Sequence, residues 1–165
     1  MATKKGIIVT IIILVAIAAG SSVLWIFPQN HGSSVVVTDF GNEIEGVKER
    51  HALIMSAMDS NLKSMLNKTL SPDDFVVMAQ TSSSQVTSLI SELIESNPPT
   101  EWRESYLNYD EALKKYNDYL AETVSFANKI KSGVSPSDIS GEMSKLDSLK
   151  NETDSFIAKS DAAKP

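Results

Sequence analysis

The sequence predicts an all-α protein, an N-terminal transmembrane helix followed by an up-down-up-down antiparallel four-helix bundle. Three observations predict it. From Ile7 to Phe27 there are 21 residues without a charge. Beyond residue 39, apolar side chains recur three and four apart over four long segments, and no alternating strand pattern persists. Short turns divide those segments, and short turns between long amphipathic helices make neighbours antiparallel.

The predicted order is a cytoplasmic tail at 1–5, a membrane anchor at 6–27, a linker at 28–38, the bundle at 39–160 and a flexible tail at 161–165. As a helix, Ile7–Phe27 would run about 32 Å, enough for a hydrocarbon core of about 30 Å. Lys4 and Lys5 precede it, and no further Lys or Arg occurs before Lys48. The positive-inside rule then leaves the N-terminus in the cytoplasm and carries the bundle outside, as a single-pass protein of the cell membrane. Trp25 and Phe27, followed by Pro28, suit the outer interface. Ala16-x-x-x-Gly20 is a small-residue spacing that suits close approach of another membrane helix. Ala16-Ile17-Ala18 also meets the small-x-small rule for signal-peptide cleavage, but a cut there would leave an apolar VLWIF close to the new N-terminus.

Cysteine is absent, which removes disulfides, iron–sulfur clusters, thiol catalysis and Cys-based zinc sites. The net charge is −6. Setting aside Lys4 and Lys5 leaves thirteen basic and 21 acidic residues from Asp39 onward, a net of −8. An acidic body disfavours nucleic acid and anionic lipid surfaces as partners.

The first bundle helix is expected from Asp39 or Asn42 to about Lys68, with an inner line of Ile44, Val47, His51, Ile54, Met58, Leu62 and Met65. Ser71-Pro72-Asp73-Asp74 then combines an N-cap, a first-position proline and first-turn carboxylates. The second helix carries Phe75, Ala79, Ser82, Val86, Leu89 and Leu93, and Asn97-Pro98-Pro99 stops it. The third keeps a 4-3-4-3 spacing through Trp102, Tyr106, Tyr109, Leu113, Tyr116, Leu120, Thr123, Ala127 and Ile130, a bundle seam. Asp110 with Lys114 and Glu111 with Lys115 are expected to pair on its outer face. Gly133 suits its C-cap. Ser135-Pro136-Ser137-Asp138 repeats the start signal for a fourth helix through Ile139, Met143, Leu146, Leu149, Thr153, Phe156 and Ile157.

Two clusters hold what chemistry the residues offer. His51, Met55, Met58 and Met65 lie on the first helix, and an imidazole with thioethers is a soft donor set suited to copper, or to axial ligation of a haem. The same residues serve equally as core filling. The position three before His51 is Lys48, so the Glu-x-x-His of a di-metal carboxylate centre is missing. Trp102, Tyr106, Tyr109, Tyr116 and Tyr119 crowd the third helix and form either a partner-binding face or a core packed on the small run Thr81-Ser82-Ser83-Ser84. Asn67-Lys68-Thr69 and Asn151-Glu152-Thr153 are glycosylation sequons at Asn67 and Asn151. The phosphate-binding, dinucleotide-binding, hydrolase-elbow and H-E-x-x-H motifs are absent from the sequence.

Lys4-Lys5-Gly6 directly before the apolar run resembles the class III signal of type IV pilins and archaellins. That resemblance implies cleavage after Gly6 and assembly into a filament. Ile11 stands where bacterial pilins carry an acidic residue at the fifth mature position. The whole layout, a Lys-flanked anchor, a Ser-rich linker and P-P-T-E-W…Y-x-x-Y…Y-x-x-Y helices, resembles single-pass, membrane-anchored extracytoplasmic helical proteins of archaea and bacteria. The expectation is a non-enzymatic scaffold or interaction subunit with a protein partner in the membrane or at the cell surface and no cofactor. The alternatives are a copper- or haem-binding protein using His51 and the methionines, and a pilin-like filament subunit.

Overall fold

The computed structural model describes residues 39–133 and 136–165. The anchor, the linker, Ala16 and Gly20, and the cap expected at Ser135 lie outside them. Among the described residues there are four helices and no strand: α1 (Phe40–Leu66), α2 (Pro72–Glu95), α3 (Thr100–Lys131) and α4 (Pro136–Ala162). None of these helices is long and apolar enough to cross a membrane.

The helix ends follow from local chemistry. Asp39 caps α1, its side chain accepting the Asn42 N–H at 3.0 Å. Ser71 caps α2 in the same way at 3.1 Å from Asp74 N, with Pro72 in the first turn. These bonds satisfy amide donors that a helix start otherwise leaves orphaned. The turn after α1 places Lys68 at φ 59°, the turn after α2 places Asn97 at φ 47°, and Gly133 ends α3 at φ 85°. Gly133 takes the left-handed backbone without the steric cost of a β-carbon.

The four helices do not pack equally. α3 lies close to both α2 and α4, whereas no α-carbon of α1 comes within 8 Å of one in α4. Small residues explain the close pairs. Ser105 and Ala112 of α3, and Thr153 and Ser160 of α4, are fully buried and spaced by seven. Ser105 Oγ donates to the Ser160 carbonyl at 2.8 Å, which brings the two backbones together. On the other side of α3, Ser83 Oγ of α2 donates to Asn117 Oδ1 at 3.0 Å.

α1 meets its neighbours through longer side chains. Lys48–Asp161 (2.6 Å), Lys164–Glu45 (2.6 Å) and Lys150–Asp59 (2.5 Å) bridge it to α4 and the residues just beyond, in antiparallel register. Arg50 makes a two-pronged bond to Glu92 of α2 at 2.8 and 2.6 Å. The fork geometry makes this the best-ordered kind of surface ion pair.

α4 runs to Ala162, into the segment 161–165, and Asp161 and Lys164 join the ion pairs to α1. Two expectations need correction. Lys115 bonds Glu152 of α4 at 2.8 Å rather than Glu111, because close packing of α3 on α4 puts a carboxylate within reach. The inner line of α4 is thinner than its pattern. Among its described side chains only Leu146, Thr153 and Ser160 are fully covered, while Ile139, Met143, Leu149, Phe156 and Ile157 are half-buried.

Candidate functional site

All four tyrosines point inward. Tyr106, Tyr109, Tyr116 and Tyr119 are buried, and Trp102 is half-buried at the first turn of α1. A β-carbon on Gly41 would lie 3.2 Å from Trp102 Cη2, so the indole sits hard against that helix. The tyrosines are therefore interior to this chain and not an open face. The 4-3-4-3 spacing turns Tyr106, Tyr109 and Tyr116 to the seam, where α1 meets them, and Tyr119 is buried beside that line.

Their hydroxyls are handled differently. Tyr106 Oη donates to Glu43 Oε2 at 2.7 Å and lies 2.8 Å from the Phe40 carbonyl, which fastens α3 to the start of α1. Tyr109 Oη sits 2.9 Å from His51 Nδ1. The His51 ring meets Tyr109 and Tyr116 edge-on, with centroids 5.8 and 4.8 Å away, and Tyr116 stacks on Tyr119 at 5.3 Å. His51 Nε2 and Tyr116 Oη are both buried without a hydrogen-bond partner.

Burial sets the electrostatics of this layer. Desolvation pulls the His51 pKa down to about 4, so the imidazole is neutral at pH 7. The same cause raises Tyr109 and Tyr116 well above the ordinary phenol value and pushes Tyr119 up to about 12. Tyr106 is raised by burial first and then by the Glu43 carboxylate it bonds.

For copper or haem, His51 offers one free ring nitrogen in a buried position. Met58 and Met65 are buried on the same helix, and Met55 is half-buried. Among the described residues no three His, Asp or Glu side chains gather as a ligand set. Asn67 and Asn151 are both exposed. The Thr153 that completes the second sequon is buried in α4, its hydroxyl bonded to the Leu149 carbonyl at 3.0 Å. A shallow open depression at the C-terminal end of α3, lined by Ser125, Asn128, Lys129, Ser132 and Gly133, holds no further titratable cluster.

The serine run on α2 does not back the tyrosines. Ser82 is buried and Ser83 bonds α3, but Thr81 and Ser84 face outward. They belong to a larger surface that the sequence pattern did not single out. From Phe75 to Ser91 there is no charged residue. Along the outside of α2, Thr81, Ser84, Ser88 and Ser91 donate their hydroxyls to carbonyls one turn earlier, at 2.9, 3.1, 3.1 and 3.2 Å. Val77 on this line is 58 % exposed. Leu53 of α1 is 66 % exposed and is followed along the outside of that helix by exposed Ser56, Ala57 and Ser60. Arg50 and Glu92 at its edge pair with each other, and exposed Glu49 and Lys63 stand at the two ends of the α1 line. The outer faces of α3 and α4 are different, with Glu101, Arg103, Glu104, Lys114 and Asp118 on one and Lys145, Asp147, Glu152 and Asp154 on the other, most of them exposed. The charge-free run of α2 was the available signal for this face.

Comparison with family models, with curated proteins and with solved structures gives no match.

Proposed function

We propose that the protein is a membrane-anchored interaction module, a helical bundle held outside the cell membrane that works by binding another protein. The observation that carries this reading is the charge-free outer line of α2 from Val77 to Ser91, with Leu53 and Ala57 of α1 beside it, in an otherwise acidic and highly charged body. Burying a polar side chain costs least when its hydrogen bond is already made. Thr81, Ser84, Ser88 and Ser91 meet that condition on their own helix, so a partner can cover them without leaving a donor unsatisfied. Leu53 and Val77 supply apolar area beside them. The charge-free run Ile7–Phe27 behind Lys4 and Lys5 supports the anchor and its orientation.

The test uses the full chain in its native membrane. A photo-crosslinking side chain at Ser88 is expected to capture protein, whereas the same group at Asp118 on the charged face of α3 is not. Equal capture at both positions, or none at either, would remove the binding role from this face. Recovery of the chain in the soluble fraction after alkaline washing would remove the anchor.

A further inference from the structure

The face on α1 and α2 has a partner that charge selects. Each body carries a net −8 from Asp39 onward, so two copies repel wherever acidic surface meets acidic surface. A basic partner would be drawn to the charged faces of α3 and α4. The outer line of α2 from Val77 to Ser91, with Leu53 and Ala57 of α1 beside it, carries no charge of its own, so two such bodies meet there without setting like charges together. We propose that this face docks a second copy of the same chain, forming a two-fold dimer across Leu53, Ala57, Val77, Thr81, Ser84 and Ser88.

The proposal deepens the interaction-module reading and rests on it, because anchoring is what makes a modest face sufficient. Two chains confined to one membrane meet at a raised effective concentration, which adds affinity without new contacts. Small side chains on both copies let helix backbones approach closely, and Leu53 and Val77 stand as the ridges beside that line. A two-fold contact is self-complementary, so only residues near the axis meet their own counterparts. That gives the proposal a spatial signature.

The absence of cysteine makes the signature readable, since a single introduced thiol has no competitor. Full-length chains carrying two different tags are co-expressed in their native membrane with one cysteine each, at Val77, Thr81, Ser84, Ser88 or, as control, Asp118. Mild oxidation is expected to give a disulfide dimer carrying both tags, with yield peaking at one or two neighbouring positions of α2 and about tenfold lower at Asp118. Adding Ser88→Arg to the chain with Ser84→Cys is expected to reduce the yield about tenfold, with the helix content by circular dichroism unchanged. A flat profile including Asp118, or no dimer at any position, overturns the proposal. Adducts to a different protein at the α2 positions also overturn it while leaving the interaction-module reading intact. Loss of the chain from the membrane fraction marks failure of the anchor instead.

Discussion

His51 shows how one side chain ties stability to pH. It is fully buried, its Nδ1 is held by Tyr109, its Nε2 has no acceptor, and no charged group offsets its desolvation. Its pKa of about 4 in the fold lies below the 6.5 of an open chain. The unfolded chain therefore takes up a proton first as the pH falls, and the fold loses stability. The contribution is complete above pH 6.5 and is lost progressively toward pH 4. At pH 4.5 the loss is about 2.5 kcal/mol, at about 1.4 kcal/mol per tenfold. Urea unfolding at pH 7 and pH 4.5 is expected to show that much extra loss in the native chain relative to His51→Gln. Asp161 and Glu142, whose lysine partners hold their pKa values low, titrate alike in both proteins and cancel. Equal losses in the two proteins would mean that the imidazole is not kept neutral by burial.

At the scale of elements, α3 organises the bundle by carrying two stripes instead of one. The first, Tyr106-Tyr109-Leu113-Tyr116-Leu120, is evident from spacing alone. The second, Ser105-Ala112-Tyr119-Phe126, is buried as completely, and its Ser105 bonds Ser160 of the closely packed α4. Sequence reading sees a large residue recurring by seven far more readily than a serine and an alanine doing so. Small residues signal closeness only once the opposite helix is known to supply small residues too. The closeness is measurable. Ala112→Leu pushes a larger side chain into a fully buried position where two backbones are already near, and overfilling of that kind costs about 1–3 kcal/mol. Leu107→Ala on the same helix removes a side chain that is 59 % exposed and is expected to stay within about 0.5 kcal/mol of the parent. Thermal unfolding of the two variants separates the cases, and an unaffected Ala112→Leu protein would show the α3–α4 contact to be loose.

Helix number, the ends at Ser71 and Gly133 and most of the inner lines of α1 to α3 were legible in the chain because each rests on short-range chemistry: a serine before a proline, a glycine after a basic last turn, a spacing of three and four. Two things were not. Asp161 and Lys164 sit in a polar, Ala-rich end that reads as fraying, and only the nearness of α1 makes them partners for Lys48 and Glu45. The tyrosines read equally well as a surface or as a core, since a helix with two buried stripes has the same composition as one with an exposed aromatic face. What decides between them is the placement of α1, a long-range fact that no local pattern of α3 contains.

For the molecule as a whole, the uneven packing sets the order in which it opens. α3 touches all three other helices, closely so for α2 and α4, and holds eleven buried residues. α1 keeps its α-carbons beyond 8 Å from those of α4 and is bridged to it by long charged side chains, and partly exposed ion pairs of that kind contribute about 0–1 kcal/mol each. Among the described residues of α4, Leu146 is the one large side chain that is fully buried. Regions with few buried contacts open first and exchange their amide hydrogens fastest. Hydrogen exchange on the native chain is therefore expected to leave the Tyr106–Ala127 amides as the slowest set, outlasting those of α1 and α4 by about tenfold or more, a gap of about 1.4 kcal/mol in opening free energy. Matching protection across α1, α3 and α4 would mean that the helices open as a single unit and that the lysine bridges hold their seam as firmly as the small-residue contacts hold theirs.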